Sequence, residues 1–134
     1  MPSILVDSSA ALALLFDEKS RAGSVEAYLA QAIDDKEIIV ITSINWAEVL
    51  THSLRQHGEN AIREARKFLR ETGMKVVAVD EEIAELTASL KNRYKLSLAE
   101  ACCADFSVKH GFTLLTTDTD FEGVRSEANV KSLR

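Results

Sequence analysis

Apolar positions along this chain gather into short runs of two kinds. Ile4-Leu5-Val6, Ile38-Ile39-Val40-Ile41 and the stretch 112–116 are nearly unbroken β-formers bounded by polar or turn residues. Runs of that length without alternation fit strands buried on both faces, as in a parallel sheet. The stretch 74–79 reads as a further strand, and 130–133 as a short final one. Between them the apolar spacing turns helical: 10–16, 20–33 (Val25, Leu29 and Ile33 at four-residue steps), 43–57, 59–71, 81–93 and 97–110. Asp7-Ser8-Ser9, Thr42-Ser43, Asp80 and Ser97 stand where helix caps are wanted, and Gly58, Gly73 and Gly111 where helices stop.

Strands alternating with helices imply right-handed crossovers and a covered parallel sheet. The pattern therefore predicts an α/β fold: a three-layer α/β/α sandwich with a central, mostly parallel sheet of four to five strands. At 134 residues, it predicts one domain over 1–134. No internal repeat or low-complexity segment interrupts it.

Composition narrows the function. The net charge of −5 counts against a protein that grips nucleic acid through phosphate contacts alone. It does not count against a site loaded with divalent cations, which supply their own positive charge. Cys102 and Cys103 are neighbours, about 100° apart on a helix, so a bridge between them would be strained. Buried thiols in a reducing cytoplasm are the expectation, and no further Cys or His stands at zinc-ligand spacing. No apolar run reaches the roughly 20 residues of a membrane span. Met1-Pro2-Ser3 lacks the basic and apolar regions of a signal peptide, so neither membrane nor leader is expected.

The candidate chemistry is acidic. Asp7 and Asp118 each directly follow a strand, and ligands of open α/β sheets bind beyond the carboxyl ends of the strands. Each could instead merely cap the next helix, although Ser8 and Ser9 could cap in place of Asp7. Glu48 lies in the mostly apolar run 44–50, which predicts a partly shielded carboxylate needing a metal, a hydrogen-bond network or a cation such as Arg55. Glu100 completes Ser97-Leu98-Ala99-Glu100, an S-x-x-E capping box, yet the helix around it is apolar nearly all round and should be buried. Asp105 lies about 140° further around that helix and is a weaker candidate. Asp120, two residues past Asp118, could share a metal or belong to a solvated turn, and Thr116 could orient a ligand through its hydroxyl. Oxygen-only ligands of this kind suit one or two Mg²⁺ or Mn²⁺ ions, which points to a phosphodiesterase and first to a ribonuclease. No histidine is required: His52, His57 and His110 read as surface or helix-end residues. For an RNA substrate the sequence offers two basic groups. Arg63, Arg66, Lys67 and Arg70 form one helical stripe. Lys91, Arg93 and Lys95 precede the helix of Glu100 and are the favoured group for holding the substrate. Either group could equally be a solvated face.

Four segments in order carry a family resemblance: Leu5-Val6-Asp7-Ser8-Ser9-Ala10, Ala47-Glu48-Val49-Leu50, Leu96-Ser97-Leu98-Ala99-Glu100-Ala101 and Leu115-Thr116-Thr117-Asp118-Thr119-Asp120-Phe121. The chain resembles PIN-domain ribonucleases, and among them the VapC-type toxins of prokaryotic toxin–antitoxin pairs. The resemblance implies Asp7, Glu48, Glu100 and Asp118 as a metal-binding and catalytic quartet, with Asp120 auxiliary. It further implies an antitoxin partner and a homodimer, with Trp46 and the first two helices as apolar interface candidates that could also be core. The family's pattern has Asp where Glu100 stands.

Other readings are a catalytically silent PIN-like binding module, a stand-alone PIN nuclease without antitoxin, and a phosphotransfer domain using Asp7. The last lacks both an acid at position 9 and a lysine after the late strand. A flap nuclease would need an arch or duplex-binding insertion for which the chain has no room.

Overall fold

A computed structural model describes residues 3–16 and 21–133. Five strands form one sheet: β1 (Ser3–Val6), β2 (Ile38–Thr42), β3 (Lys75–Val77), β4 (Thr113–Thr116) and β5 (Val130–Ser132). Their order is β3-β2-β1-β4-β5, and every pairing is parallel. The helices are α1 (Ser8–Leu15), α2 (Ala22–Asp34), α3 (Ser43–His57), α4 (Ala61–Thr72), α5 (Glu81–Arg93) and α6 (Leu98–His110).

Successive residues of a strand face opposite sides of the sheet, and the central strands use both. Leu5, Val40 and Leu114 pack with Ile83, Leu90 and the small residues of α6. Ile4, Val6, Ile39, Ile41 and Leu115 pack with α1, α2, Val49 of α3 and Phe68 of α4. That double demand is why these strands read as unbroken apolar runs, and it makes the three layers. Trp46 and the half-buried residues of α1 pack onto the second of these cores. Cys102 and Cys103 are buried free thiols.

The structure moves several boundaries. The strand expected over 74–79 shrinks to three residues at the sheet edge, Lys75–Val77, where only β2 offers it hydrogen bonds. The helix expected from 59 begins at Ala61, after a 3₁₀ turn over Gly58–Asn60. Position 20, the expected start of the second helix, lies outside the described residues, as does the Met1-Pro2 start; the helix is described from Ala22. Among the described residues no helix is long and apolar enough to cross a membrane.

Strand order places β1 between β2 and β4: the chain steps from β1 through β2 to β3 on one side, then crosses over to β4 and β5 on the other. The crevice of such a sheet opens at the carboxyl ends beside that switch point. Asp7 follows β1, Thr42 ends β2, and Thr116 ends β4.

Candidate active site

Asp7 is the hub of a buried hydrogen-bond network. It caps α1, accepting at Oδ2 from the Ser9 amide at 3.4 Å and more closely from the Ser9 hydroxyl at 2.7 Å. The Thr116 hydroxyl, from the end of β4, donates to the same oxygen at 3.0 Å. The Asn45 amide donates to Oδ1 at 3.4 Å. Asp7 is 4% exposed. Burial pushes its carboxyl up from the ordinary aspartate range, and the bonds from Ser9 and Thr116 pull the other way. Asp7 is thus a helix cap as well as a site carboxylate, so the two sequence readings coexist.

Asn45 was not singled out by sequence reasoning, yet it is fully buried and ties three elements together. Its Oδ1 accepts from the Thr42 hydroxyl at 2.5 Å, and its Nδ2 donates to Ser8 Oγ at 3.0 Å as well as to Asp7. Ser8 Oγ donates in turn to Glu48 Oε1 at 2.6 Å. The signal available was a polar side chain on the apolar flank of the 44–50 run. Glu48 itself is exposed, not partly shielded. Its apolar neighbours Trp46 and Val49 turn toward the core, so the carboxylate projects from the other flank. Its hydrogen-bond partner is the Ser8 hydroxyl rather than Arg55.

On the other side stand Glu100, Asp118 and Asp120, each offering a carboxylate oxygen within 4.8 Å of the others. Glu100 does form the capping box: its Oε1 accepts from the Ser97 amide at 2.8 Å, and the Ser97 hydroxyl accepts from the Glu100 amide at 3.1 Å. The cap occupies one oxygen of Glu100. Asp118 is held by its amide's bond to Thr116 Oγ1 at 2.9 Å, and its own Oδ1 accepts from the Asp120 amide at 3.1 Å. Asp120 is exposed, and the neighbouring Glu100 carboxyl pushes its carboxyl up. The Cys103 thiol, buried just behind, is raised well above its usual value by burial and then by the charges of Asp7, Glu48 and Glu100.

Asp7, Glu48, Glu100 and Asp118 all line one groove of about 550 Å³. The tight trio draws in Asp120 and does not include Asp7 or Glu48. The donor set, oxygen-only and crowded enough to raise one of its own carboxyls, fits a hard divalent cation. Thr116 is fully buried and spends its hydroxyl on Asp7 and Asp118. Lys91, Arg93 and Lys95 are absent from the groove lining. Lys91 Nζ donates to the Leu96 carbonyl at 2.9 Å, and Arg93 pairs with Glu127 at 2.9 Å. Asp105 is buried with Oδ2 unpartnered and also lies outside the groove. Arg55, considered only as a partner for Glu48, and His52, read as a surface or helix-end residue, both line it.

Fold and groove together describe a parallel α/β domain with convergent carboxylates at its sheet edge. Residues 4–127 match the PIN domain; the chain belongs to the PIN domain family. A search of curated proteins finds no match. Among solved structures, a toxin–antitoxin complex from Klebsiella pneumoniae is similar at TM-score 0.69 and 25% identity, covering 98% of each chain. VapC20 of Mycobacterium tuberculosis, described as a sarcin-ricin loop cleaving toxin, is similar at TM-score 0.75 and 22% identity, over 96% of this chain and 99% of that one. VapBC2 from Rickettsia felis, bound to a promoter DNA fragment, reaches TM-score 0.81 at 12% identity over 98% of each.

Proposed function

We propose that the chain is a metal-dependent endoribonuclease that hydrolyses RNA phosphodiester bonds, acting as one domain over 1–134. We further propose that it is the toxin of a type II toxin–antitoxin pair, cytoplasmic, homodimeric and held by a cognate antitoxin. The observation that carries the first reading is convergence: carboxylates from the ends of β1 and β4 and from α3 and α6 line a single groove. The second rests on family membership and on neighbours such as the Klebsiella pneumoniae toxin–antitoxin complex.

Glu100, Asp118 and Asp120 would hold Mg²⁺ or Mn²⁺, with Asp7 and Glu48 facing the same groove. Bound there, one or two ions would neutralise phosphate charge and make a water more acidic. The chain's own part is to fix the acids and take up a proton. Asp7 is buried, clamped by donors from Ser9, Thr116 and Asn45, and its carboxyl is raised above the ordinary aspartate range by burial, so it is suited to accept the proton of an attacking water. Attack would form a new P–O bond in line with the bridging P–O bond that breaks, and the departing oxygen takes a proton from solvent.

The test is RNA cleavage by purified protein with Mg²⁺, Mn²⁺ or EDTA, run beside Asp7→Asn prepared identically. Metal-dependent cutting that disappears in the variant is the expected result. Equal cutting by both would overturn the site. Binding of metal without cutting by either would favour the silent PIN-like module, for which the commitment of Glu100 to a helix cap speaks.

A further inference from the structure

We propose that the groove is a track for single-stranded RNA crossing the carboxylates, with Arg55 holding a backbone phosphate on one side and Arg21 on the other. The proposal rests on the ribonuclease reading above and adds which residues hold the substrate, and in what form.

On α3, Glu48, Thr51, His52 and Arg55 recur at steps of three and four and all line the groove, so they share one helix face. Seven residues of helix put Arg55 about 10 Å along the axis from Glu48, one or two nucleotides beyond a phosphate at the carboxylates. A second hollow of about 230 Å³ is lined by Ser9, Arg21, Thr117, Asp118 and Thr119. Ser9 and Asp118 line both hollows, so the two adjoin there, with Arg55 only in the first and Arg21 only in the second.

Both arginines are exposed, and among the described residues neither has a carboxylate within ion-pair distance. In a chain of net charge −5, a polyanion approaching crowded carboxylates needs cations to arrive against. Two guanidiniums flanking the acids, each without an ion pair among the described residues, supply them in the forked geometry that phosphate oxygens accept. The groove wall also carries Leu12, exposed Ile44 and the His52 ring, which meets Phe16 edge-on at 5.3 Å. Such apolar and ring surfaces serve bases that are unpaired and free to stack, which selects a single strand over a duplex.

Arg55 also sits in the last turn of α3, where a cation steadies the helix dipole. The experiment must therefore read something that dipole would not move. The cleavage position is first mapped on a short RNA that the wild type cuts, and KM, kcat and salt dependence are then measured for Arg55→Gln, Arg21→Gln and Arg55→Lys. Each Gln variant is expected to raise KM by about tenfold, far more than it lowers kcat, as for loss of one charge-assisted contact. Each should also lower the slope of log KM against log salt by about 0.7. Arg55→Lys should keep most of the slope. Trimming nucleotides from one side of the cut should erase the effect of one arginine only, and trimming the other side that of its partner. Unchanged slopes, a purely thermal effect, or a single trim that erases both would overturn the track while leaving the ribonuclease reading intact. A wild type that cuts no RNA would overturn both.

Discussion

The two walls of the groove hold their carboxylates in opposite ways. On the β1–α3 side, Asp7 and Glu48 are fastened by neutral donors: Ser9, Thr116 and Asn45 on Asp7, and Ser8 on Glu48. On the α6–β4 side, Glu100, Asp118 and Asp120 crowd one another, and the bonds they accept come from backbone amides. One wall is complete without a cation; the other carries like charges that only a cation or a proton can quiet. The contrast separates positioning from binding. On the function proposed above, the first wall sets geometry and the second takes up the metal.

The largest effect expected from breaking this contrast is on the first wall. Asp7→Asn should lower cleavage by about 10³-fold, the scale of a positioned acid–base group. It should also alter the pH dependence of stability in EDTA. The folded-state pKa of Asp7 is raised above 3.8 by burial. Its favourable contribution is therefore present below the unfolded value and lost as pH rises through the folded one. The stability difference between variant and wild type should thus move in the variant's favour as pH rises from about 4 toward neutrality. Urea unfolding at a series of pH values measures it, and a difference flat in pH would contradict the assignment.

Next is Asn45→Ala, which strips the clamp without removing a carboxylate. It leaves Thr42, Ser8 and Asp7 short of partners, at a cost of about 1–3 kcal/mol. Cleavage should fall by about 10²-fold through misplacement, while the thermal shift produced by Mn²⁺ survives. Loss of that shift in Asn45→Ala would join the two walls into one unit.

The second wall is sharpened by metal itself. Saturation at 100 times Kd should raise stability by about 2.7 kcal/mol, read as a shift in Tm. Asp118→Asn should abolish most of it and leave the apo Tm nearly unchanged.

The smallest and most discriminating change is Glu100→Gln. A glutamine still completes the capping box, so apo stability should stay within about 0.5 kcal/mol, whereas the metal shift should shrink. Ser97→Ala should do the reverse, costing about 1 kcal/mol of stability with the metal shift retained. Equal behaviour of the two variants would mean that Glu100 serves the helix alone.

Local signals made much of this legible. β1, β2 and β4 are apolar because both sheet faces are covered, and Thr42, Asp80 and Ser97 cap helices as their side chains dictate. All four quartet acids fall on one groove because strand ends of a parallel sheet share an edge. What depends on orientation was not legible. Apolar neighbours made Glu48 look shielded, but they occupy the other flank of α3. Asn45 shows its role only when Asp7 and Ser8 arrive from the end of β1 beside its own cap Thr42. Arg55 reaches the groove because of how α3 lies across the sheet, while Lys91 and Arg93, near Glu100 in sequence, are engaged elsewhere. β3 was overestimated because an apolar run does not tell how many ladder bonds an edge will form.

The bond from Thr116 to Asp7 joins residues 109 positions apart in the chain. Its consequence belongs to synthesis. Asp7 is translated 109 residues before Thr116, and at 5–20 residues per second the interval is roughly 5–20 s. Throughout it β1 has no β4 beside it, and the clamp on Asp7 lacks its third donor. A ribosome-bound nascent chain therefore carries its acids apart, and the groove closes only once β4 has left the ribosome.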